Sequence, residues 1–312
     1  MAGSNERGRA FELIVRRTLL NYVVKKRLPT EEAEHSKARE KIETKYFNAL
    51  DEETQFSFVH GAWAFAKWAD EQSWFDNATK MTLDRVPDNK AKERDPTDIR
   101  LEITYSDGRQ ETKNISLKHN HNALCHPRLP SLAQQCGFEK GSKIDKEYRK
   151  SYKQIWEKFY AKVKALNEDI ETTTELNKKH QKFITKNFYV PMQKNAIHFL
   201  GTYANSAKNS AEFFKYLTGN KEYFVVKNEL KFIEVKSFSN LTVPSTFKIT
   251  YPLDGKETTF LIEFDNGWQI AMRLHTASSR LTKSNGTINM TEKEDPICIN
   301  LKDNVKTEKI LK

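Results

Sequence analysis

The stretch DIRLEITYSDGRQETKNISLK, residues 98–118, decides the fold. Apolar and polar residues alternate on either side of its SDGR tetrapeptide, which predicts two strands joined by a hairpin turn. Residues that pair across an antiparallel ladder project to the same face of the sheet, and pairing Ile99 with Leu117 sets Asp98 opposite Lys118. We therefore predict a carboxylate and an ammonium about 5 Å apart, measured between their Cβ atoms, on the polar face of this hairpin.

Helical spacing of apolar residues dominates the chain on both sides of the hairpin. It predicts a first helix over residues 7–28, a polar second helix that starts at Thr30, and a third helix capped by Asp51. Residues 145–187 return to the helical pattern. The hairpin is thus expected between N-terminal helices and a helical middle.

The last third of the chain alternates again. The runs FKITY (247–251), TTFLIEF (258–264) and WQIAMRLH (268–275) predict three strands, and the DNG tripeptide at 265–267 predicts a hairpin turn between the last two. The charged tail from Lys302 is expected to fray. Strands in both halves and helices between them predict an α/β fold.

Charge and cysteine content restrict the classes of protein to which this chain can belong. The 312 residues carry a formal net charge of +10, which suits a polyanionic partner such as nucleic acid, although a lysine-rich solubility surface is the alternative explanation. Three widely spread cysteines argue against a disulfide framework. Neither a signal peptide nor a membrane-spanning run is present, so we expect a cytoplasmic protein without membrane contact.

The polar face of the hairpin holds side chains that suit catalysis. Asp98 is a ligand type for a hard divalent cation, and Lys118 is placed to orient water or to neutralise charge on phosphorus, with Ser116 beside it. Together these are the minimum groups for metal-assisted hydrolysis of a phosphodiester. The alternative is a cross-strand salt bridge between Asp98 and Lys118.

Several segments resemble known nucleases. An acid that begins one strand and a lysine that ends the next resemble the PD-(D/E)xK pattern, and ISLKHNHNALCHPRL (115–129), KSYKQIWEKFYAKV (150–163), FDNGWQIAMRLHTASS (264–279) and GRAFELIV (8–15) resemble the HaeIII-type restriction endonucleases. The resemblance implies a PD-(D/E)xK restriction-endonuclease-like core and a Mg²⁺-dependent type II enzyme that cuts duplex DNA at a short palindromic site, GGCC in the name member. It also implies a companion DNA methyltransferase for the same site. Palindromic cutting suggests either a homodimer or successive nicking by a monomer.

One position departs from the pattern. Ser116 stands where the motif has a second acid, and its neutral hydroxyl is a poor Mg²⁺ ligand, so it would act through a bound water. Glu12 on the first helix is our candidate for the second metal-binding carboxylate, and the alternative for it is a helix ion pair with Arg16. Glu139, downstream of the hairpin, is a weaker candidate.

DNA contacts are expected at the end of the hairpin and on the final strand. A zinc site at the histidines near Cys125 is disfavoured because the ligand spacing is irregular. Arg273 is our first choice for base or phosphate recognition, and a salt bridge to Glu263 is its alternative. The predicted DNA-binding residues are His119, Asn120, His121, His126, Arg128, Gln269, Arg273 and His275; exposed polar loop residues are the alternative for those near the hairpin.

The chain is expected to divide in two. Residues 1–145 would hold the nuclease core with its N-terminal helices and catalytic hairpin, and residues 146–312 would hold a helical segment and a strand-rich DNA-recognition portion. Two competing functions remain open at this point: a basic DNA-binding module without catalysis, and a zinc-stabilised RNA-processing protein.

Overall fold

The computed structural model describes most of the chain. The described residues are 4–87, 95–119, 127–166, 168, 170, 172–219, 221–276, 281–284, 287–290, 294–302 and 307–312. Within them the protein is a mixed α/β structure. Among these residues, none of the helices combines the length and the apolar character that crossing a bilayer requires.

The helices and strands are numbered in chain order. The helices are α1 (Ser4–Lys25), α2 (Glu34–Asn48), α3 (Glu52–Glu71), α4 (Leu132–Gln135), α5 (Lys143–Ala165), α6 (Thr173–Lys179), α7 (Val190–Phe199) and α8 (Ala207–Thr218). The strands are β1 (Thr30–Glu32), β2 (Ala78–Arg85), β3 (Ile99–Tyr105), β4 (Gln110–His119), β5 (Tyr223–Asn228), β6 (Phe232–Phe238), β7 (Phe247–Thr250), β8 (Thr259–Phe264), β9 (Gln269–Thr276), β10 (Leu281–Ser284), β11 (Thr287–Met290), β12 (Glu294–Lys302) and β13 (Thr307–Leu311).

The chain forms two compact units that interleave in sequence. Unit 1 comprises residues 1–122, 219–241 and 305–312, and unit 2 comprises residues 123–218 and 242–304. The predicted division at residue 145 assumed that the chain crosses between its parts once, whereas the chain crosses between these units four times. Which part recognises DNA stays a prediction.

Unit 1 is built on a seven-stranded mixed sheet. Its strand order is β1-β2-β3-β4-β5-β6-β13, with parallel pairing between β1 and β2 and between β4 and β5, and antiparallel pairing elsewhere. The apolar positions of β3 and β4 belong to the same buried core as α1 and α3. The strand residues in that core include Ile99, Leu101, Ile103, Ile115 and Leu117, and the helix residues include Phe11, Phe58, Phe65 and Trp68.

The predicted hairpin forms, but its register was wrong by two residues. Ile99 pairs with Ile115, not with Leu117, although both registers keep the same residues on the same face. The loop has three residues after Tyr105: Gly108 donates its N–H to the Tyr105 carbonyl and has a φ of +83°, while Tyr105 donates to the Arg109 carbonyl. A three-residue hairpin loop ends on a left-handed residue, which glycine adopts most readily. Gly108 must therefore be the last loop residue, and this fixes the register.

Other N-terminal and C-terminal predictions were corrected in detail. Thr30 starts the short strand β1, and the second helix begins only at Glu34. Strand β2 lies where the sequence pattern had shown no strand. The C-terminal tail does not fray over Thr307–Leu311, because this segment pairs antiparallel with β6. Asp51 caps α3 as predicted, accepting the Thr54 N–H at 2.8 Å.

Unit 2 contains the helical middle and a four-stranded sheet of order β12-β9-β8-β7. The three strands predicted in the last third are confirmed as β7, β8 and β9. The turn before Trp268 repeats the first hairpin: Gly267 donates to the Phe264 carbonyl and has a φ of +88°. Trp268, Ile270, Met272 and Leu274 are all buried, as their alternation predicted.

Replacing Gly108 with Ala should destabilise the protein by about 1 kcal/mol or more, because an L side chain is strained at its left-handed φ. No atom lies within 4 Å of the added Cβ, so crowding would not contribute. Gly8 in α1 has equally open surroundings but a helical backbone, and Gly8→Ala should stabilise the protein by about 0.5–1 kcal/mol. Urea unfolding of both variants measures the two changes. A loss of stability at Gly8 as large as at Gly108 would contradict this account.

Candidate active site

Asp98 is fixed at the start of β3 by its neighbours on β4. Its backbone N–H donates to the Ile115 carbonyl at 2.9 Å. Its carboxylate Oδ2 accepts the Leu117 N–H at 2.7 Å and lies 3.3 Å from the Ser116 Oγ, which donates to it. The Asp98 carboxylate therefore takes the Leu117 N–H, which strand pairing would otherwise use. The position of the carboxylate is thus set by the backbone of β4.

Lys118 lies two residues beyond Ser116 on the same face of β4. The predicted position of Lys118 directly opposite Asp98 was wrong, because the observed register brings Asp98 next to Ser116 instead. Within the described part of the chain, the half-buried Lys118 ammonium has no ion pair and no hydrogen bond. The salt bridge that was the alternative for this pair does not form between the two described side chains.

Glu12 on α1 is the second acid near Asp98, and it is only 6% exposed. Both of its carboxylate oxygens accept from Arg9 Nη1 at 2.8 Å, and Oε2 also accepts from Arg85 Nε at 3.2 Å. The alternative partner, Arg16, binds Glu32 and Glu43 instead. Glu12 is thus held by two arginines, and the alternative helix pair with Arg16 does not form.

The pKa of Glu12 is raised to about 7. Burial is the largest cause, and the negative charge of Asp98 is the next. The two arginines, Arg9 and Arg85, act in the opposite direction and lower the pKa. The Asp98 contribution brings the two carboxyl groups into one electrostatic site, since a like charge raises a pKa only at short range.

Behind Glu12 lies a buried ionic network that sequence reasoning missed. Arg85 on β2 bridges Glu12 and Glu43, with its Nε 3.1 Å from a Glu43 oxygen. Arg85 and Glu43 are 2% and 1% exposed. The network joins α1, α2 and β2, so it fixes the helix that presents Glu12 against the strands that present Asp98.

Asp95, three residues before Asp98, was also missed. Its carboxylate accepts from Lys221 Nζ at 2.7 Å, from Arg100 Nη2 at 2.8 Å and from the Thr97 N–H at 3.1 Å. Despite the opposing effect of burial, these contacts lower the pKa of Asp95. Because its oxygens are bound to two cations, we interpret Asp95 as the anchor of the segment that leads into Asp98. No local signal marks this role, because Lys221 is 126 residues away in sequence.

The predicted DNA contacts next to the hairpin are described in part. Asn120, His121 and His126 lie outside the described residues, as does the side chain of His119. Arg128 is exposed in unit 2, and its backbone N–H and carbonyl both bind the Gln135 side chain. The backbone of Arg128 is therefore anchored while its side chain reaches the surface.

The predicted contacts on β9 also lie in unit 2. Arg273 is exposed and has no ion pair among the described residues. Glu263, its alternative partner, instead accepts from Gln269 Nε2 at 2.9 Å. The side chain of His275 is outside the described residues. In unit 1 the structure thus places Ser116 in contact with Asp98, Glu12 within electrostatic range of Asp98, and Lys118 two residues along β4 from Ser116. The β9 residues belong to unit 2.

The donor set suits a hard cation. Within the described residues, no group of three or more His, Cys, Asp and Glu side chains is placed to hold a metal. Glu12 and Asp98 instead supply two carboxylates, and Mg²⁺ is typically bound in proteins by one or two carboxylates, with water and substrate phosphate completing its shell. Burial is the main cause of the raised Glu12 pKa, and the part that the negative charge of Asp98 adds is a repulsion that a bound cation relieves.

Comparison with known proteins identifies the family of this chain. The sequence profile of the HaeIII restriction endonuclease family matches residues 8–249. The chain belongs to the HaeIII restriction endonuclease family. Searches of curated proteins and of solved structures each gave no significant match.

Membership of this restriction endonuclease family implies type II cleavage of DNA. The range matched to the HaeIII family includes Glu12, Asp98, Ser116 and Lys118. It ends before β8 and β9, so Gln269, Arg273 and His275 lie outside it. Family membership therefore supports the chemistry of unit 1 more directly than it supports the recognition residues.

The raised pKa of Glu12 predicts a pH dependence of stability. A carboxyl whose pKa is raised from 4.5 to about 7 on folding binds more protons in the folded state between these values, so the folded protein loses stability as pH rises through this window. The stability difference between wild type and Glu12→Gln should therefore fall with rising pH, by up to about 1.4 kcal/mol per pH unit. Urea unfolding in EDTA at pH 5 and pH 8 measures it.

The exposed acid Glu102 on β3 gives the matched control for this measurement. The difference between wild type and Glu102→Gln should change little over the same pH range. A wild-type to Glu12→Gln difference that stays constant, or grows with pH, would show that the Glu12 pKa is not raised.

Proposed function

We propose that this protein is a Mg²⁺-dependent type II restriction endonuclease that cuts duplex DNA at a short palindromic site. The observation that carries the proposal is the position of Asp98, whose carboxylate accepts from Ser116 and Leu117 on β4. Lys118 lies on β4, two residues after Ser116. Family membership supports DNA as the substrate. GGCC is the proposed site, by resemblance to the name member of the family.

A PD-(D/E)xK-like core is the proposed framework. Its support is an acid at the start of β3 and a lysine near the end of β4, in antiparallel strands whose apolar face packs on α1. Ser116 replaces the usual acid two residues before the lysine. We propose that Glu12 supplies the missing carboxylate from α1, because it lies close enough to Asp98 for the Asp98 charge to raise its pKa.

The proposed reaction is in-line attack of water on phosphorus with departure of the 3′ oxygen. Glu12 and Asp98 would hold Mg²⁺, which when bound supplies positive charge at the scissile phosphate. Lys118 orients the attacking water or neutralises charge that develops on the phosphoryl oxygens. Ser116 holds the Asp98 carboxylate by donating to Oδ2, and Arg9 and Arg85 hold Glu12.

The remaining proposals concern the biological setting. We propose that the enzyme acts in the cytoplasm beside a DNA methyltransferase that protects the same site. A homodimer would cut both strands of a palindrome in one binding event, and a monomer would nick them in succession. Sedimentation of the protein with and without a duplex of defined sequence distinguishes the two.

Replacing Asp98 with Asn, or Lys118 with Ala, should lower the rate of DNA cleavage at least about 10²-fold, because each change removes a charge from the reacting centre. Binding of the cognate duplex should remain. The controls are Glu102→Gln on β3 and Lys113→Ala on β4, which change the same residue types in the same hairpin and should cut at nearly the wild-type rate. Normal cleavage by Asp98→Asn would refute the site.

Incubation of plasmid DNA with purified protein separates the enzyme from the two alternative functions. We expect discrete fragments in Mg²⁺ and intact plasmid in EDTA, and the sequences of two adjoining fragment ends should together restore GGCC. Binding without cleavage in Mg²⁺ would favour the non-catalytic DNA-binding module. Bound zinc, together with cleavage of RNA in preference to duplex DNA, would favour the RNA-processing protein.

A further inference from the structure

Helix α5 carries a marked surplus of positive charge. In its 23 residues, α5 carries eight Lys or Arg and three Asp or Glu side chains, a surplus of five. The surplus over the whole chain is ten. The 20-residue helix α3 by contrast carries one Lys and four Asp or Glu side chains. The basic charge is thus unevenly distributed among the helices.

Four of the eight basic residues of α5 lie on one side of the helix. The buried face of the helix consists of Asp145, Tyr148, Tyr152, Phe159 and Val163. At 100° per residue, Lys143, Lys146, Lys150 and Lys153 fall on the side away from that face, spaced three, four and three residues apart. All four are exposed. We call these four residues the α5 lysine stripe.

The stripe is not neutralised by its surroundings. Among the described residues, Lys143, Lys146 and Lys150 have no ion-pair partner. Lys153 lies 3.6 Å from Glu157, and both side chains are more than half exposed, so this pair contributes little. Four like charges along one side of a helix repel one another and lower the stability of the helix. We therefore expect the stripe to serve binding and not folding.

The dimensions of the stripe match a nucleic-acid backbone. From Lys143 to Lys153 the helix rises about 15 Å, at about 1.5 Å per residue. Duplex DNA carries one negative charge per about 1.7 Å of its axis, so the same length presents about nine phosphates. Each lysine is a point charge on a flexible stem, which suits phosphate and carries no base-specific geometry.

We propose that the α5 lysine stripe contacts the phosphate backbone of duplex DNA and supplies sequence-independent affinity. The inference rests on the proposed function, because it takes duplex DNA as the partner. It deepens that function by separating attraction to the backbone, assigned to α5 in unit 2, from cleavage, assigned to Asp98 and Lys118 in unit 1. Phosphate contacts neutralise charge and release counterions, so the stripe should govern the salt dependence of binding.

The test compares two triple variants that remove the same charge. Lys143→Ala, Lys146→Ala and Lys150→Ala together remove most of the stripe. The control replaces Lys208, Lys248 and Lys256 with Ala; these are also exposed lysines of unit 2 but do not share a helix face. Circular dichroism and thermal unfolding check that both variants fold as wild type does.

Binding is measured in EDTA, so that cleavage does not interfere, with fluorescent 30-base-pair duplexes that contain or lack GGCC. We expect the stripe variant to bind both duplexes about tenfold or more weakly near 0.1 M salt, with an unchanged ratio between them. The slope of log K against log salt should shrink by about 0.9 for each phosphate that the variant no longer neutralises. The control variant should stay within about twofold of wild type.

The outcomes separate this inference from the proposed function. If the stripe variant binds both duplexes as the control does, while wild type cuts plasmid, the inference is wrong and the proposed function stands. If only the GGCC duplex is affected, α5 reads bases and the backbone assignment is wrong. If the wild-type protein neither cuts nor binds duplex DNA, both the inference and the proposed function are wrong. Weaker binding of both duplexes confined to the stripe variant confirms the inference.

Discussion

The pairing of β3 with β4 is the constraint on which the site depends. In this ladder the side chain of each residue projects to one face of the sheet, and each residue of β3 pairs with one residue of β4. A single register therefore decides which side chains meet. Because Gly108 ends the loop, Asp98 lies beside Ile115 and Ser116, and its carboxylate takes the Leu117 N–H. Holding an acid in this way costs little further conformational entropy, since backbone bonds already fix the residue that carries it.

The second acid is positioned by a different means. Glu12 stands on a helix, and the helix is tied to the sheet by buried charges, with Arg85 bridging Glu12 and Glu43. Buried ion pairs contribute little net stability, because desolvation offsets the attraction between the charges. They do specify geometry, since moving Glu12 would take one of its two carboxylate partners away from the buried Arg85. The network therefore contributes more to the position of α1 than to the free energy of folding.

Sequence patterns predicted the elements better than the contacts between them. Alternation gave both strands of the hairpin and the inward residues of β9, because side-chain period depends on local geometry. The register failed by two residues because pairing Ile99 with Leu117 matched apolar residues without requiring Gly108 to end the loop. Strand β13 was missed because the pattern of a short charged edge strand resembles that of a tail.

The same limit explains the site residues. Glu12 was found because an acid on the first helix suited the resemblance, but its partners, Arg9 and Arg85, were not. Arg85 is 73 residues away in sequence and is brought to Glu12 only by the packing of α1 on the sheet. Asp95 was passed over beside Asp98, since nothing local distinguishes an acid bound to Lys221 from one left half-exposed. Long-range pairing of charges is the information that a single sequence does not contain.

Attraction of DNA and cleavage of DNA place opposite demands on charge. Two neighbouring carboxylates repel a phosphate, and the raised pKa of Glu12 shows that they also repel each other. A protein with such a site needs positive charge elsewhere to hold a polyanion, and half of the surplus of this chain lies on α5. A divalent cation held by the two carboxylates would offset their negative charge near the scissile bond and leave the charge of the α5 lysines unchanged. Binding would then depend mainly on salt, whereas cleavage would depend on the cation, and the two are separable because different residues carry them.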